Sequence, residues 1–556
     1  MAFRRQPRFL YVLSLVLFCV TAILPLAYVF GQFIAGVIER PAALANAIMD
    51  SRQLVLLGRS LGIALSATLV ALSLGLPVAA LLAARDLPLR RLFYFLMLVP
   101  VLIPSYVMAG AWIHLLSPAG WVNRTLAALI GQSATLTIQS VPGCAWCLGL
   151  SFFPIIALVV AAGLSQLDGN LQDIARLSTG RWGVLWHATL PQIQPHLLAS
   201  VCLVLIFVLA QYGVPSLLGI NTFPVEIFAQ YSAFYDETAA VATSLPLTIL
   251  VVFLILLQQR IMGSRDYVRV TASSEMGAAI ALRKLRPYAA IFLTALFLIA
   301  VVLPFASVFA YARGLDKVLS TVILFGDSVY LTGLLALCAS IAATLLAFSL
   351  GHLLAHGQGR LTRMLDVICW LPIAVPGTVM GLGFARIASR FPLLQKFDAF
   401  GLLLLLAYIG MFSAFPIRVF HATYRRADPN VDEAATIDCP CWYQKCRHID
   451  MRIHAPAMIV SVMLVFVLVA GELNATVLLV PPGKATLSVS IDNLLHYGAS
   501  ETASAFCLIE AALVLMAAGA GLVALRVAAR TFGPGSLVDD GIGDEVPSLR
   551  RSVTRG

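Results

Sequence analysis

The sequence predicts an all-α integral membrane protein with 12 transmembrane helices, arranged as two six-helix repeats that share one orientation. Three observations support this fold class: the composition, the lengths of the apolar segments and an internal repeat. Of the 556 residues, 60% are hydrophobic and 12% are charged, whereas a soluble domain has about 25% charged residues. This composition argues against a cytosolic enzyme and a disordered chain, and most of the surface is expected to face lipid.

Apolar segments of spanning length occur twelve times along the chain. A transmembrane helix needs about 20 largely apolar residues. The segments lie near residues 9–38, 57–84, 92–116, 146–167, 197–219, 238–257, 288–312, 328–355, 365–388, 400–422, 457–480 and 503–529. The first follows three arginines, which also fits a signal peptide. Its length and the lack of a small-residue cleavage site favour a retained helix.

The distribution of basic residues predicts the orientation of the spans. The net charge is +10, from 37 Lys and Arg against 27 Asp and Glu. These charges are scattered between apolar segments, which favours an orientation signal and argues against nucleic-acid binding. With twelve spans, 27 of the 37 basic residues fall on one side. The positive-inside rule then predicts a multi-pass membrane protein with both termini in the cytoplasm.

An internal repeat divides the chain into two like halves. Residues 168–175 resemble residues 428–435 at an offset of 260, and residues 100–108 resemble residues 372–380. The second pair of segments carries two prolines in each copy, which we expect to open the third span of its half. Because the repeat unit contains an even number of spans, both copies have the same orientation. A pathway between them, along a pseudo-two-fold axis, is the expected consequence.

The repeat also sets the predicted domain boundaries. The first six-helix repeat is expected at residues 1–270 and the second at residues 288–532. Residues 271–287 are predicted to form a cytoplasmic linker, and residues 533–556 a disordered cytoplasmic tail. The duplicated cytoplasmic segments lie at about 168–195 and 428–456.

Each duplicated segment predicts a short, rigid helix at the cytoplasmic mouth. Asn170 and Asn430 are suitable N-caps. Asp173 and Glu433 follow three residues later, where a carboxylate favours the positive end of a helix. Small side chains that would let a partner approach closely stand at Ala175, Ala434 and Ala435. A structural connector is the alternative interpretation, but the duplication favours a docking surface.

These segments resemble the EAA loops of ABC importer permeases, in which Glu-Ala-Ala precedes a glycine and then a hydrophobic-x-Leu-Pro. The second copy contains Glu433-Ala434-Ala435, and the first contains Asp173-Ile174-Ala175. In the first copy Gly180 lies near the glycine position and Leu190-Pro191 ends the motif. The second copy departs from the pattern, with Cys439-Pro440 and Met451-Arg452 at the corresponding places.

The resemblance implies a type I importer permease with the MetI-like fold, located in the cell inner (plasma) membrane. The two loops would then dock on two copies of a cytoplasmic ABC ATPase subunit, and a periplasmic or extracellular substrate-binding protein would deliver the substrate. ATP and Mg would be used by the ATPase, with no cofactor bound by this chain. The residues agree with that division of labour, because Pro482-Gly483-Lys484 is followed by Ala485 and no phosphate-binding loop is present. The chain is therefore predicted not to be an enzyme.

The fifth span of each half is expected to line the pathway in this fold. The candidate residues are Gln211, Tyr212, Glu472 and Asn474. Glu472 is a carboxylate within an apolar run, where a charge costs ~2.5–3.5 kcal/mol on insertion scales. It is therefore expected to line the pathway, or else to pair with Tyr212 or an arginine.

The outward segments around residues 478–487, 495–498 and 212–221 resemble permeases of the ferric iron group, so ferric iron is the predicted substrate. Thiamine and aminophosphonate importers share the fused layout and remain alternatives. Two classes without ATP coupling also remain: an ion-gradient-driven secondary transporter with six plus six helices, and a membrane assembly factor that does not transport.

A cysteine cluster offers a possible metal site. Cys439, Cys441 and Cys446 lie near His448 and His454 on the predicted cytoplasmic side, and such residues bind zinc in other settings. The paired spacing of zinc ribbons is missing, so a locally diverged loop is the favoured interpretation and no metal site is predicted.

Overall fold

The computed structural model describes residues 8–39, 51–130, 136–165, 167, 180–263, 282–391, 401–427, 430, 442–497 and 501–531. Across these ranges the regular secondary structure is helical, without strands. Eight helices in them are long and apolar enough to cross a membrane, and four bent helix pairs bring the number to 12 if each pair is one span. The predicted fold class is confirmed.

The spans follow the predicted order and are numbered along the chain. The unbroken spans are Arg8–Ala35, Ser51–Ala83, Val141–Ser165, Leu185–Leu209, Thr238–Arg260, Arg283–Tyr311, Gly326–His356 and Glu501–Ala528. The bent spans, which are the third, ninth, tenth and eleventh, are Arg90–Leu102 with Ser105–Leu115, Arg360–Ile373 with Gly377–Arg390, Leu402–Phe412 with Ala414–Arg426, and Trp442–Ile453 with Ala455–Ala470. Shorter helices between spans are Trp121–Ile130, Gly213–Leu217, Phe223–Phe228, Leu315–Leu324, Thr476–Leu479 and Leu487–His496.

The third and ninth spans are broken at matching prolines. They bend by 90° and 96° at Pro104 and Pro376. The preceding residues, Ile103 and Val375, have extended backbone conformations, because proline disfavours the helical conformation in the residue before it. The expectation that the proline pair opens each span was therefore wrong. The pair lies inside the span and divides it into two helices.

Five-residue π-helical segments also repeat between the halves. Cys19–Ile23 lies in the first span and Leu298–Val302 in the seventh. Pro25 and Pro304 each come two residues later. A proline inside a helix donates no hydrogen bond and its ring clashes with the carbonyl four residues before it. A widened turn relieves that clash, so the same local cause acts at equivalent places in both halves.

The first span of each half packs against the other half. The first span contacts the eighth, ninth and tenth spans, and the seventh span contacts the third. Two glycines permit the closest approach: a Cβ at Gly410 would stand 2.1 Å from the Thr21 carbonyl oxygen, and one at Gly383 would stand 2.7 Å from the Pro25 carbonyl oxygen. Between the seventh and third spans, the Ser307 hydroxyl donates to the Ala111 carbonyl at 3.3 Å. Each half therefore contributes its first span to the packing of the other half.

Polar contacts join loops that are predicted to lie on the same side of the membrane. On the predicted cytoplasmic side, Asp86 accepts hydrogen bonds from the Leu282 and Arg283 amides and from Arg286 Nε, at 2.8–2.9 Å. The two amides, followed by Arg286, hold the pKa of the Asp86 carboxyl well below its usual range. This contact ties the loop after the second span to the start of the seventh span. On the predicted outer side, Arg52 pairs with Glu226 at 2.9 Å.

Replacement of Asp86 by asparagine is expected to lower the melting temperature of the purified protein at neutral pH, because the neutral side chain loses the ion pair with Arg286. The pKa of Asp86 is lower in the folded state than in the unfolded state. Its contribution is therefore complete above about pH 4 and is lost as the pH falls further. Melting in detergent should show a constant difference from wild type between about pH 7 and pH 5, and this difference should shrink progressively as the pH falls below about 4 toward the lower folded-state pKa. A difference that stayed unchanged in acid would contradict this assignment, and the exposed Asp327→Asn serves as the control.

Candidate translocation cavity and coupling segments

A cavity of about 200 Å³ lies between the two halves. It forms where the breaks of the third and ninth spans face the chain just beyond the fifth and eleventh spans, at Gln211 and at residues 471–474. Most of its wall is apolar, including the rings of Phe152, Phe207, Phe412 and Phe415. An apolar cavity with a few placed polar groups is the usual form of a small-molecule site.

Glu472 lines this cavity and is only 4% exposed. Its Oε1 accepts the Ala475 amide at 2.9 Å, and its Oε2 accepts the Thr476 amide at 3.1 Å and the Thr476 hydroxyl at 2.6 Å. The structure places Glu472 on the cavity wall, and its predicted role in a translocation pathway stays a prediction. The carboxylate accepts the amides of Ala475 and Thr476 at the start of the helix Thr476–Leu479, and within the described ranges neither Tyr212 nor an arginine pairs with it. These side-chain bonds to the backbone compete with the hydrogen bonds of a continuous helix, which is consistent with the eleventh span ending at Ala470.

Asn474 joins the halves at the edge of the cavity. Its Oδ1 accepts the backbone amide of Tyr212 at 2.9 Å, so residues that lie far apart in the sequence meet at the same point. Gln211 and Asn474 line the cavity, whereas Tyr212 lies beside it with its ring 5.1 Å from that of Phe228. The structure therefore brings all four predicted pathway residues together around one space.

Small residues let the broken spans approach the cavity. A Cβ at Gly471 would stand 2.5 Å from Cγ of Pro104, which belongs to the other half. A Cβ at Gly377, directly after the ninth-span break, would stand 2.9 Å from Cβ of Asn474 and 3.0 Å from Glu472 Oε1. Because these approaches leave no free space, a displacement of either break would also displace residues 471–474.

A second buried carboxylate, Glu510, was missed by the sequence reasoning. It is fully buried in the twelfth span, and its Oε1 accepts a hydrogen bond from the hydroxyl of Tyr106. Tyr106 lies two residues after Pro104 and lines the cavity. The signal was the same as for Glu472, a lone carboxylate within an apolar run. The bond joins the broken third span of the first half to the last span of the second half.

The two duplicated segments, at about 168–195 and 428–456, are predicted to couple the chain to the ATPase subunits and are called the coupling segments. The structure describes them only in part. Gly180 is exposed, with nothing within 4 Å of an added Cβ, and Asn430 is helical and exposed. The remaining coupling residues lie outside the described ranges: Asn170, Asp173, Ala175, Glu433, Ala434 and Ala435. Their role stays a prediction. After each segment the chain forms a π-helical turn, Leu185–Thr189 and Cys446–Asp450, so the return to the membrane is alike in both halves.

The cysteine cluster is likewise only partly described. Cys439 and Cys441 lie outside the described ranges. The ring of His454 packs 4.3 Å from that of Tyr424, and Nδ1 of His448 lies 3.1 Å from the Gln444 carbonyl. Among the described residues, no group of three His, Cys, Asp or Glu side chains is placed to hold a metal ion.

Comparison with known protein families gives a match over residues 71–265 to the binding-protein-dependent transport system inner membrane component. The matched range contains the break at Pro104, the first duplicated segment and Gln211 and Tyr212, which carry the first half's contribution to the site.

Similar proteins are transport system permeases. The chain is 24% identical over 515 residues to the Fe(3+)-transport system permease protein FbpB 2 of Haemophilus influenzae, covering 88% of this chain and 92% of the relative. It is 27% identical over 191 residues to PhnV of Salmonella paratyphi A, a protein named for 2-aminoethylphosphonate transport, covering 34% and 71%. It is 32% identical over 197 residues to the sulfate transport system permease protein CysW of Synechocystis sp., covering 34% and 70%.

Proposed function

Because the chain belongs to the family of binding-protein-dependent transport system inner membrane components, we propose that it forms the translocation pathway of an ATP-binding cassette importer for ferric iron. The observation that carries the proposal is the cavity between two like-oriented halves, bordered by a broken span from each. In this arrangement a tilt of the two halves opens the cavity to one side of the membrane or to the other.

Ferric iron is proposed because the relative named for Fe(3+) transport aligns along almost the whole chain, including both halves. The relatives named for 2-aminoethylphosphonate and sulfate align with about a third of it. 2-Aminoethylphosphonate is the second candidate substrate, since a relative named for its transport matches part of the chain and aminophosphonate importers, like thiamine importers, share the fused layout.

Two partners complete the proposed importer. Two copies of a cytoplasmic ABC ATPase would dock on the segments around 168–195 and 428–456, with ATP and Mg bound by those subunits. A periplasmic binding protein would dock on the loops at the opposite side. This assignment places both termini in the cytoplasm, as the basic residues predict.

Transport into sealed proteoliposomes tests the function directly. The full chain is reconstituted with an ABC ATPase and a substrate-binding protein from the same organism, and uptake of radioactive ferric iron is followed. ATP-dependent uptake that unlabelled 2-aminoethylphosphonate, sulfate and thiamine leave unchanged is the expected result. Uptake driven by an ion gradient without ATP would instead indicate a secondary transporter. Uptake of labelled 2-aminoethylphosphonate in place of iron would replace the proposed substrate.

Charge reversal in both coupling segments is expected to uncouple the importer. The double variant Asp173→Lys and Glu433→Lys places cations where carboxylates favour helix N-termini and meet the ATPase. Each lysine would oppose the positive end of its predicted helix, where a carboxylate is favoured by about 0.3–1 kcal/mol, and each 1.4 kcal/mol is about a factor of ten in binding. Iron uptake should therefore fall at least about tenfold, with less ATPase co-purifying and with an unchanged melting temperature of the permease.

A matched control makes the same change of charge on the predicted outer side. Asp316 and Asp327 are exposed carboxylates at the starts of the helices Leu315–Leu324 and Gly326–His356. The double variant Asp316→Lys and Asp327→Lys should leave ATPase binding intact. Equal uptake by the coupling variant and wild type would contradict the assignment of the two segments as coupling helices.

A further inference from the structure

The ninth span begins with an exposed amphipathic helix, Arg360–Ile368, on the predicted cytoplasmic side. This helix starts directly after Gly359, whose φ of 110° permits the sharp reversal from the end of the eighth span. The side chains of Leu361, Met364 and Val367 are 71%, 55% and 44% exposed. In a chain that spans a membrane, apolar side chains exposed at the start of a span meet lipid.

Asp366 determines which face of this helix points toward the protein. Its Oδ1 accepts a hydrogen bond from Arg418 Nη1, and its carbonyl oxygen accepts one from Arg418 Nη2 at 2.6 Å. Arg418 belongs to the tenth span, and its Cζ also lies 4.4 Å from the centre of the Trp370 ring. Asp366 is the one acidic residue of the helix, so its negative charge is already neutralised by the neighbouring span.

A different face of the helix carries an open groove, which is lined by Arg360, Arg363, Met364, Val367 and Ile368. These positions follow the spacing i, i+3, i+4, i+7 and i+8, so they form one continuous stripe along the helix. The two arginines stand at the beginning of the stripe, and the three apolar side chains lie further along the span. A positively charged end that continues into an apolar surface matches an anionic phospholipid, in which the charged head group precedes the acyl chains.

Both arginines of the groove are available to a ligand. Arg360 and Arg363 are exposed, and neither forms an ion pair or a hydrogen bond with a residue in the described ranges. The start of the third span differs, because Arg90 Nε donates to the Leu82 carbonyl at 2.8 Å and its Cζ lies 5.5 Å from the centre of the Tyr94 ring. The second half therefore presents two positive charges at the membrane boundary, and arginine pairs well with phosphate.

We propose that this groove binds the head group and an acyl chain of an anionic phospholipid, such as phosphatidylglycerol. The guanidinium groups of Arg360 and Arg363 donate to the phosphate, and Met364, Val367 and Ile368 contact the acyl chain. An ATPase subunit docked on the same side is the competing occupant. The apolar stripe favours lipid, because it continues along a membrane span. Lipid binding here is independent of the transported substrate.

The proposed lipid site lies close to the cavity along the chain. The helix Leu371–Ala374 follows after two residues. Pro372, Ile373 and Val375 line the cavity, and the span then breaks at Pro376. Because so short a segment joins the groove to the cavity wall, the position of that wall depends on how the start of the ninth span is anchored at the membrane surface.

Photo-crosslinking of the purified full-length chain in detergent tests the site. The probe is phosphatidylglycerol with a diazirine in its acyl chain, and labelled peptides are mapped by mass spectrometry. Labelling of residues 360–368 should be displaced by unlabelled phosphatidylglycerol, but not by phosphatidylcholine with the same acyl chains or by inorganic phosphate. A basic residue beside an anionic lipid contributes about fivefold in affinity. The double variant Arg360→Gln and Arg363→Gln should therefore raise the probe concentration for half-maximal labelling roughly 25-fold.

Two further variants separate a lipid site from a general effect of charge. The double variant Arg526→Gln and Arg530→Gln removes two exposed arginines on the same predicted side, at the end of the twelfth span. It should leave the labelling of the groove unchanged. The double variant Met364→Gln and Val367→Gln keeps both groove arginines but removes the apolar surface, so it should weaken the labelling as well.

Three results would overturn the lipid site. The first is equal displacement of the probe by phosphatidylglycerol and phosphatidylcholine. The second is unchanged labelling in the variant that lacks both groove arginines. The third is loss of ATPase co-purification in that variant while its lipid labelling persists, which would assign the groove to the ATPase. None of these results depends on iron uptake, so failure of the lipid site and failure of the proposed function are distinguished.

Discussion

Gly410→Ala is expected to destabilise the protein by about 1–3 kcal/mol, the usual cost of overpacking a closely packed interior. The added Cβ would stand 2.1 Å from the Thr21 carbonyl oxygen and 2.6 Å from the Thr21 carbonyl carbon. These are backbone atoms, so no side-chain rotation relieves the overlap. The tenth span or the first span must move as a body, and that movement loosens the crossing of the first span onto the second half.

A glycine with free space provides the matched control for this prediction. Gly333 lies inside the eighth span with nothing within 4 Å of an added Cβ, so Gly333→Ala is expected to be neutral or to stabilise the helix by roughly 0.5–1 kcal/mol. Both variants would be compared by thermal and denaturant unfolding in the same detergent. If Gly410→Ala and Gly333→Ala behaved alike, the close approach of the first and tenth spans would be wrong. Gly383→Ala, against the Pro25 carbonyl, tests the same crossing at a second point.

The number and order of the spans could be predicted from the sequence because length and hydrophobicity depend on local composition. The ends of the fifth and eleventh spans could not be predicted in this way. Apolar residues continue past Leu209 and Ala470, so composition extended these spans to about 219 and 480, whereas the helices end at the cavity. The proline pairs were visible, but a proline shows where a helix breaks and not how the two pieces are placed. The packing of the first span against the second half could not be predicted from the sequence of that span, because it depends on Gly383 and Gly410, which lie far away in the sequence.

The cavity residues were predictable to the extent that they carry an unusual side chain. Glu472 was found because a carboxylate in an apolar run is costly. Glu510 gives the same signal in the twelfth span, outside the two fifth spans that the family resemblance assigns to the pathway. Only the folded chain brings Asn474 against the backbone amide of Tyr212, so this contact between the halves depends on the tertiary structure.

Glu510→Leu is the second change with a large expected effect. It removes the acceptor of the Tyr106 hydroxyl, and both residues are almost completely buried. A buried donor without a partner costs about 1–3 kcal/mol, so the unfolding free energy should fall by about that amount. Because Tyr106 lines the cavity directly after the break at Pro104, iron uptake should fall as well. Glu510→Gln keeps a carbonyl acceptor at the same position and should retain most of the stability and uptake.

A double-mutant cycle separates this bond from the simple loss of a buried side chain. Tyr106→Phe removes the donor, so Tyr106→Phe with Glu510→Leu leaves no stranded hydroxyl and should be less destabilised than the sum of the single changes. The interaction energy expected for residues in direct contact is about 0.5–3 kcal/mol. Tyr11→Phe breaks a hydroxyl contact between the first and eighth spans, to His352, and should combine additively with Glu510→Leu because the two sites share no partner. Additive behaviour of Tyr106→Phe with Glu510→Leu would mean that the third and twelfth spans are held together by packing alone.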